Sequence, residues 1–269
     1  MSQFANKNVI VTGAGIGIGY AICQAFAQEG AIVGLNDIDE EVARQAARQI
    51  NEQVVGERVI PYGLDVANVE ALQTMVDDFS TRHGGLDIMV ANAGITNYGA
   101  FLDYSPDAFD LLMNVNLRGS YFTAQAAAKQ MIVNKIAGRI VLMSSVTGTQ
   151  AFQNLSAYGI TKAGIRMMAR VLGLELGRYG ITVNAISPGA TLTERTLLDD
   201  PNYEENWAGV TPTGRVGYVE DIVAAVLFLA SPAARQVNGH TLQVDGGWTV
   251  HSPIPEDHPE EPEFSSQLR

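Results

Sequence analysis

Cysteine is nearly missing from this 269-residue chain, with Cys23 the only one, and that excludes an internal disulfide framework and any thiolate metal cluster. Histidine is scarce too. His83, His240, His251 and His258 show neither H-E-x-x-H nor any paired-ligand spacing, so no metal site is expected. Cations are outnumbered, 17 Lys and Arg against 29 Asp and Glu, and a net charge of −12 argues against general nucleic-acid binding, which needs a basic face. Although 46% of residues are apolar, no uninterrupted apolar run approaches the ~20 residues of a membrane span. The opening "MSQFANKNVIVTG" lacks a secretory signal, so a cytoplasmic protein acting on small molecules is the expectation. Cys23 itself has no basic partner or redox spacing and reads as a packing residue.

Glycine, by contrast, is concentrated. In "NVIVTGAGIGIGYAICQAFAQEG", Gly13, Gly15, Gly17 and Gly19 recur at every second position between a β-branched run and an amphipathic segment. Glycine permits positive φ and close backbone approach at an entropic cost. Further β-branched runs, "AIVGLN", "RVIPYG", "LDIMVAN", "GRIVLMSS", "GITVNAISPG" and "HTLQVDGG", alternate with helical stretches near 39–52, 68–83, 106–134, 155–179 and 219–230. In the first helix Ile18, Ala21, Ile22, Ala25 and Phe26 form one apolar stripe. Such alternation predicts a doubly wound α/β fold, about seven parallel strands with helices on both faces, in one domain spanning 1–248.

In that setting the glycine turn lies between the first strand and first helix, where backbone N–H groups and the helix N-terminus form a pyrophosphate site. Asp37, about twenty residues on in "GLNDIDEE", is placed to accept hydrogen bonds from an adenosine ribose. Its charge repels a 2′-phosphate, and neither Ile38 nor Ile16 supplies a cation to hold one, so NAD is expected over NADP. Taken singly, the turn also fits a tight connection without ligand, and Asp37 a helix cap.

Tyr158 and Lys162 are four apart in a helical stretch and share a face. A nearby ammonium lowers a phenol's pKa from about 10, which would suit Tyr158 to proton exchange with a carbinol or carbonyl oxygen. Ser145 ends a predicted strand at the edge where open α/β sheets bind ligands, and its hydroxyl can hold the same oxygen. Alone, each reads equally as a surface pair or a strand end.

The glycine spacing is T-G-x-x-x-G-x-G, with Thr12, Gly13, Gly17 and Gly19, and with the later motifs the chain resembles the short-chain dehydrogenase/reductase family from about residue 6 to Gly247. The ordered matches are Asp65-Val66, "ANAG", "NVNLRG", "LMSSVTG", "YGITK", "SPGATLT" and "VDGG". Ala91 departs from the asparagine common at that position and leaves Asn92, Ala93 and Gly94 intact. The resemblance implies a catalytic set of Asn116, Ser145, Tyr158 and Lys162, with Asn116 positioning a water and Lys162 also holding the nicotinamide ribose. It implies NAD contacts from Thr12, Gly13, Gly15, Ile16, Gly17, Ile18, Gly19, Asp37, Ile38, Asp65, Val66, Asn92, Ala93 and Gly94. To these it adds Tyr158, Lys162, Pro188, Gly189, Thr191 and Thr193.

The implied reaction is hydride transfer between NAD and a secondary alcohol or carbonyl, with a sugar, polyol or similar small hydroxy compound as substrate. Rival readings are a 3-oxoacyl reductase and, from another class, a non-catalytic dinucleotide sensor, which would not need the complete catalytic set. The segment 191–217 is the expected substrate loop, where Tyr203 and Trp207 offer either a stacking surface or packing for the loop itself. A homotetramer is implied as well. The tail, 249–269, holds Pro253, Pro255, Pro259 and Pro262 among five acids, and is expected to lie across a neighbouring subunit with Ile254 and Phe264 as anchors.

Overall fold

The computed structural model describes residues 3–251. Expectations for Ile254, Phe264 and the prolines and acids of the tail concern residues outside that range. Seven strands form one parallel sheet: β1 (Asn8–Val11), β2 (Ile32–Asp37), β3 (Val59–Gly63), β4 (Ile88–Ala91), β5 (Arg139–Met143), β6 (Thr182–Pro188) and β7 (Thr241–Val244). Their order is β3-β2-β1-β4-β5-β6-β7. Each matches a predicted run, and the doubly wound fold is observed as expected.

Alternation along β1 divides the core. Val9 and Val11 point to one face with Ile22 and Phe26 of α1 (Gly17–Gln28) and Ile222 and Val226 further along the chain. Ile10 points to the other, among Leu72, Phe79, Met131 and Ile165. Helices α2 (Glu40–Asn51) and α3 (Val69–His83) start on side-chain caps: Asp39 accepts from Glu41 and Val42 N–H, and Asn68 from Ala71 N–H. Helix α1 has neither a side-chain cap nor an acid in its first turn. Its leading N–H groups are left for something else.

The predicted helix over 106–134 is three segments: α4 (Pro106–Leu112), a π-helical stretch Met113–Gly119, and α5 (Ser120–Val133). The wider turn holds Asn116 between the two α-helical segments. Helix α6 (Ser156–Leu176) follows β5. After β6, two short helices, α7 (Glu194–Asp199) and α8 (Tyr203–Ala208), cross the substrate-loop region before α9 (Val219–Ala230) returns to the sheet.

Strand order reverses between β1 and β4, since β1 pairs with β2 on one side and β4 on the other. The carboxyl ends of the strands at that switch point are where an open α/β sheet forms its crevice.

Candidate active site

A cleft of about 610 Å³ opens at that edge. One end is a backbone surface built by glycine. Thr12 Oγ1 accepts hydrogen bonds from the N–H groups of Asn92 and Ala93, while Asn92 Nδ2 donates to the carbonyls of Thr12 and Gly13 at 3.0 and 2.7 Å. The ends of β1 and β4 are thereby locked together. Gly13 has φ +60°, and a Cβ there would stand 2.6 Å from Ala93 Cα; one on Gly19 would stand 2.3 Å from the Gly13 carbonyl oxygen. Both positions require glycine.

Asp37 accepts a 3.0 Å hydrogen bond from Gly15 N–H and another from Asp39 N–H, which fixes its carboxylate at the rim beside the turn. The cap of α2 is Asp39, so the helix-cap alternative for Asp37 is not what the structure shows. Ile16 and Ile38, 60% and 70% exposed, flank that rim. Ile18, Asp65, Val66, Ala93 and Gly94 line the cleft with Asn92, and Asp65 also accepts from Ala67 N–H. Gly15 does not itself line it, though its N–H holds Asp37. Asn36, which sequence reasoning missed, is buried beneath the rim and donates to the carbonyls of Asp37, Tyr62 and Leu64.

At the other end, α6 presents Tyr158 in its first turn and Lys162 one turn later, as the four-residue spacing predicts. Lys162 is buried and its Nζ donates 2.9 Å to the Met143 carbonyl at the end of β5. It lies 5.4 Å from the centroid of the Tyr158 ring. Burial pushes its pKa down to about 8. Ser145, just beyond β5, accepts from Thr147 N–H.

The phenol corrects the electrostatic expectation. Its pKa is raised by burial; the Thr96 and Ser145 hydroxyls hydrogen-bonded to it and the charge of Arg195 pull it back only in part. Lys162 stands over the ring, and its own charge is weakened by the same burial. Asn116 also differs from expectation. Its Oδ1 accepts from Ile95 N–H at 2.8 Å, and its Nδ2 donates to the Ile95 carbonyl and Thr161 Oγ1. That side chain clamps the loop after β4. Both amide donors are thereby occupied, and the Asn116 main-chain carbonyl accepts from Ser120 Oγ within the π-helical turn.

Pro188, Gly189, Thr191 and Thr193 line the roof. A Cβ on Gly189 would meet Asp245 Cα at 2.8 Å. Thr193 lies over the glycine turn, its methyl 3.8 Å from where a Gly17 Cβ would be, and its hydroxyl caps α7 by accepting from Thr196 N–H. Tyr203 reaches the cleft, with burial pushing its phenol up to about 12. Trp207 does not line it. Its ring packs instead against Phe152, Tyr203 and Trp248, at centroid distances of 6.1, 5.9 and 6.0 Å. Thr96 and Arg195 carried no sequence signal, because the segments bearing them meet Tyr158 only in the folded chain.

A parallel sheet, a glycine turn at its switch point and a half-buried tyrosine with a buried lysine across the cleft define a Rossmann-type dinucleotide fold. The chain belongs to the short-chain dehydrogenase/reductase family, and a family model described as "Enoyl-(Acyl carrier protein) reductase" matches residues 13–249. It is 37% identical over 254 residues to an L-rhamnose 1-dehydrogenase (NAD(P)(+)) of Sphingomonas sp. (strain SKA58), covering 93% of this chain and 99% of that protein. It is 35% identical over 242 residues to a 3-oxoacyl-[acyl-carrier-protein] reductase of Chlamydia trachomatis, covering 90% and 97%. Among solved structures, a gluconate 5-dehydrogenase from Burkholderia cenocepacia J2315 in complex with NADP and tartrate superposes with a TM-score of 0.86. The two are 36% identical, over 93% of this chain and 99% of that one.

Proposed function

We propose that the protein is an NAD-preferring oxidoreductase that moves hydride between the nicotinamide and a secondary alcohol or carbonyl of a sugar, polyol or similar small hydroxy compound. One observation carries the reading: the Tyr158 phenol meets the cleft among the hydroxyls of Ser145 and Thr96, with Tyr203 on the same wall. A wall of hydroxyls suits a substrate that is itself hydroxylated. The relatives named for rhamnose and gluconate support it.

The residues fit a dinucleotide. The glycine turn is closed to any Cβ at Gly13 and Gly19, the first turn of α1 lacks a cap, and Asp37 stands ready as an acceptor. The turn would hold the pyrophosphate and Asp37 the adenosine ribose. A bound nicotinamide supplies the hydride chemistry. Ser145 Oγ donates a hydrogen bond to the reacting oxygen; Tyr158 Oη, kept protonated by its burial, gives its proton to that oxygen in reduction, and in oxidation its phenolate form takes the carbinol proton. Lys162, at about 8 and fixed on the Met143 carbonyl, is poised to pass that proton on near neutral pH, with Asn116 positioning a relaying water as the family resemblance implies.

A 3-oxoacyl reductase is the second reading, favoured by the family model's description and the chlamydial relative. Against it, α7 and α8 carry Glu194, Asp199, Glu204 and Glu205 at the presumed docking side, with Asp200 between the two helices, which disfavours an acidic carrier protein. A cytoplasmic homotetramer completes the reading. Among the described residues no helix is long and apolar enough to cross a membrane. Exposed Met167, Val171 and Leu174 on α6 support an interface between copies.

Turnover followed at the nicotinamide absorbance tests the reading, over aldoses, alditols, hydroxy acids and a carrier-bound 3-oxoacyl chain. Activity on the hydroxylated compounds is expected. Reduction of the carrier-bound chain alone reverses the ranking, and no turnover of anything leaves the sensor.

A further inference from the structure

Two side-chain cations line the cleft, Lys162 and Arg195. Lys162 is buried and committed to the Met143 carbonyl. Arg195 is different. It stands in the first turn of α7, 57% exposed, and among the described residues its guanidinium makes no hydrogen bond, only a long, exposed ion pair from Nε to Asp199 Oδ2 at 3.9 Å. Most other cleft polar groups have partners: Thr193 and Thr196 cap α7, Asp37 holds Gly15, and Asn92 holds the β1 end. Arg195 therefore brings unused donors, in a planar fork that matches a carboxylate, into the same space as the Tyr158 phenol.

Its position is the substrate end. The positive charge reaches both phenols: at Tyr158 it adds to the lowering by Thr96 and Ser145, and at Tyr98 it offsets part of the rise caused by burial, Tyr158 and Asp199. Glu194 lines the same cleft with negative charge, so an anionic substrate finds one favourable seat there.

We propose that Arg195 is a specificity-determining residue that seats the carboxylate of a polyhydroxy acid, so that the site takes aldonates and their keto forms in preference to neutral polyols. This rests on the reading of the site as a sugar or polyol dehydrogenase. The acid's carboxylate lies on the guanidinium while a carbinol along its chain meets Tyr158 and Ser145.

The test compares Arg195→Met and Arg195→Lys with the unaltered full chain. Substrates are four- to six-carbon aldonates and the alditols of the same lengths and configurations, at saturating NAD. The unaltered enzyme should favour aldonates. Arg195→Met should lower kcat/KM for them by about tenfold to a hundredfold, as expected for a lost charged hydrogen bond. The loss should fall in KM and exceed any change on the alditols, whose kcat alone should feel the charge removed from beside Tyr158, with Arg195→Lys recovering part of it. Equal losses on acids and alditols, or an alditol preference in the unaltered enzyme, overturn the proposal. So does a parallel rise in the dissociation constant for NADH, which makes Arg195 a cofactor clamp. D-gluconate binding to the NADH complex, measured by calorimetry in both proteins, needs no turnover. If gluconate binds only when Arg195 is present, the seat stands even where neither compound class is oxidised, an outcome that defeats the functional reading alone. Binding indifferent to the substitution, or absent from both, defeats the seat.

Discussion

The glycine turn between β1 and α1 and the segment from Thr191 to Gly217 face each other across one cleft, yet they are built on opposite principles. In the turn, geometry is carried by main chain packed so tightly that a single carbon on Gly13 or Gly19 has no room. In the segment, two six-residue helices are held largely by side chains, among them the cap at Thr193, the Asn206–Asp200 and Tyr218–Glu204 hydrogen bonds and the rings around Trp207, with Leu198 and Val210 left exposed. The first has one way to be assembled. The second can be re-sculpted a side chain at a time, which is how one fold hosts many specificities.

If that division is right, substitutions should damage different quantities on the two sides. The largest effect belongs to Tyr158, where both sides meet: Tyr158→Phe should cut turnover by about a hundredfold or more while NADH binding, followed by fluorescence titration, changes little. Unchanged turnover removes the proton-transfer role. Gly19→Ala should abolish NADH binding and cost about 1–3 kcal/mol of stability by overpacking, read as a lower Tm. A variant that binds NADH normally breaks the claim that the turn is fixed by its main chain.

Smaller still, Asp37→Ala with Ile38→Arg should shift the NADP-to-NAD ratio of kcat/KM upward by about tenfold, since a repelling carboxylate is replaced by a phosphate-binding cation. An unaltered protein that already favours NADP at equal low concentration contradicts the role given to Asp37. Trp207→Ala is the mildest. The three ring pairs of Trp207 order the segment locally and not the sheet, so KM should rise severalfold with little change in global Tm or in NADH affinity. A large fall in Tm would mean the segment belongs to the folding core.

The same division explains what the sequence disclosed. The central strands were legible because burial on both faces demands continuous apolar runs, the half-buried edge strands β3 and β7 by their place in the alternation, and the glycine turn because only one residue type tolerates it. Asp37 was legible for its fixed distance from that turn. The π-helical stretch was not, since one extra residue per turn leaves the apolar pattern of 106–134 nearly intact. Nor was the state of Tyr158: its neighbours Thr96, Ser145 and Arg195 come from three separate segments, and burial, which outweighs them, belongs to no single residue. Trp207 offered two readings, and its rings decided for packing.

The ring cluster has an optical consequence. Trp207 and Trp248 are the chain's only tryptophans, and they touch each other, 6.0 Å apart and at 67°. Tryptophan emission, excited at wavelengths beyond the absorption of the nine tyrosines, therefore has a single source, seated where α8 meets the segment after β7. The Rossmann core contributes no indole signal of its own. A shift in emission wavelength on adding a small molecule reports that junction alone, with no label attached and no turnover needed.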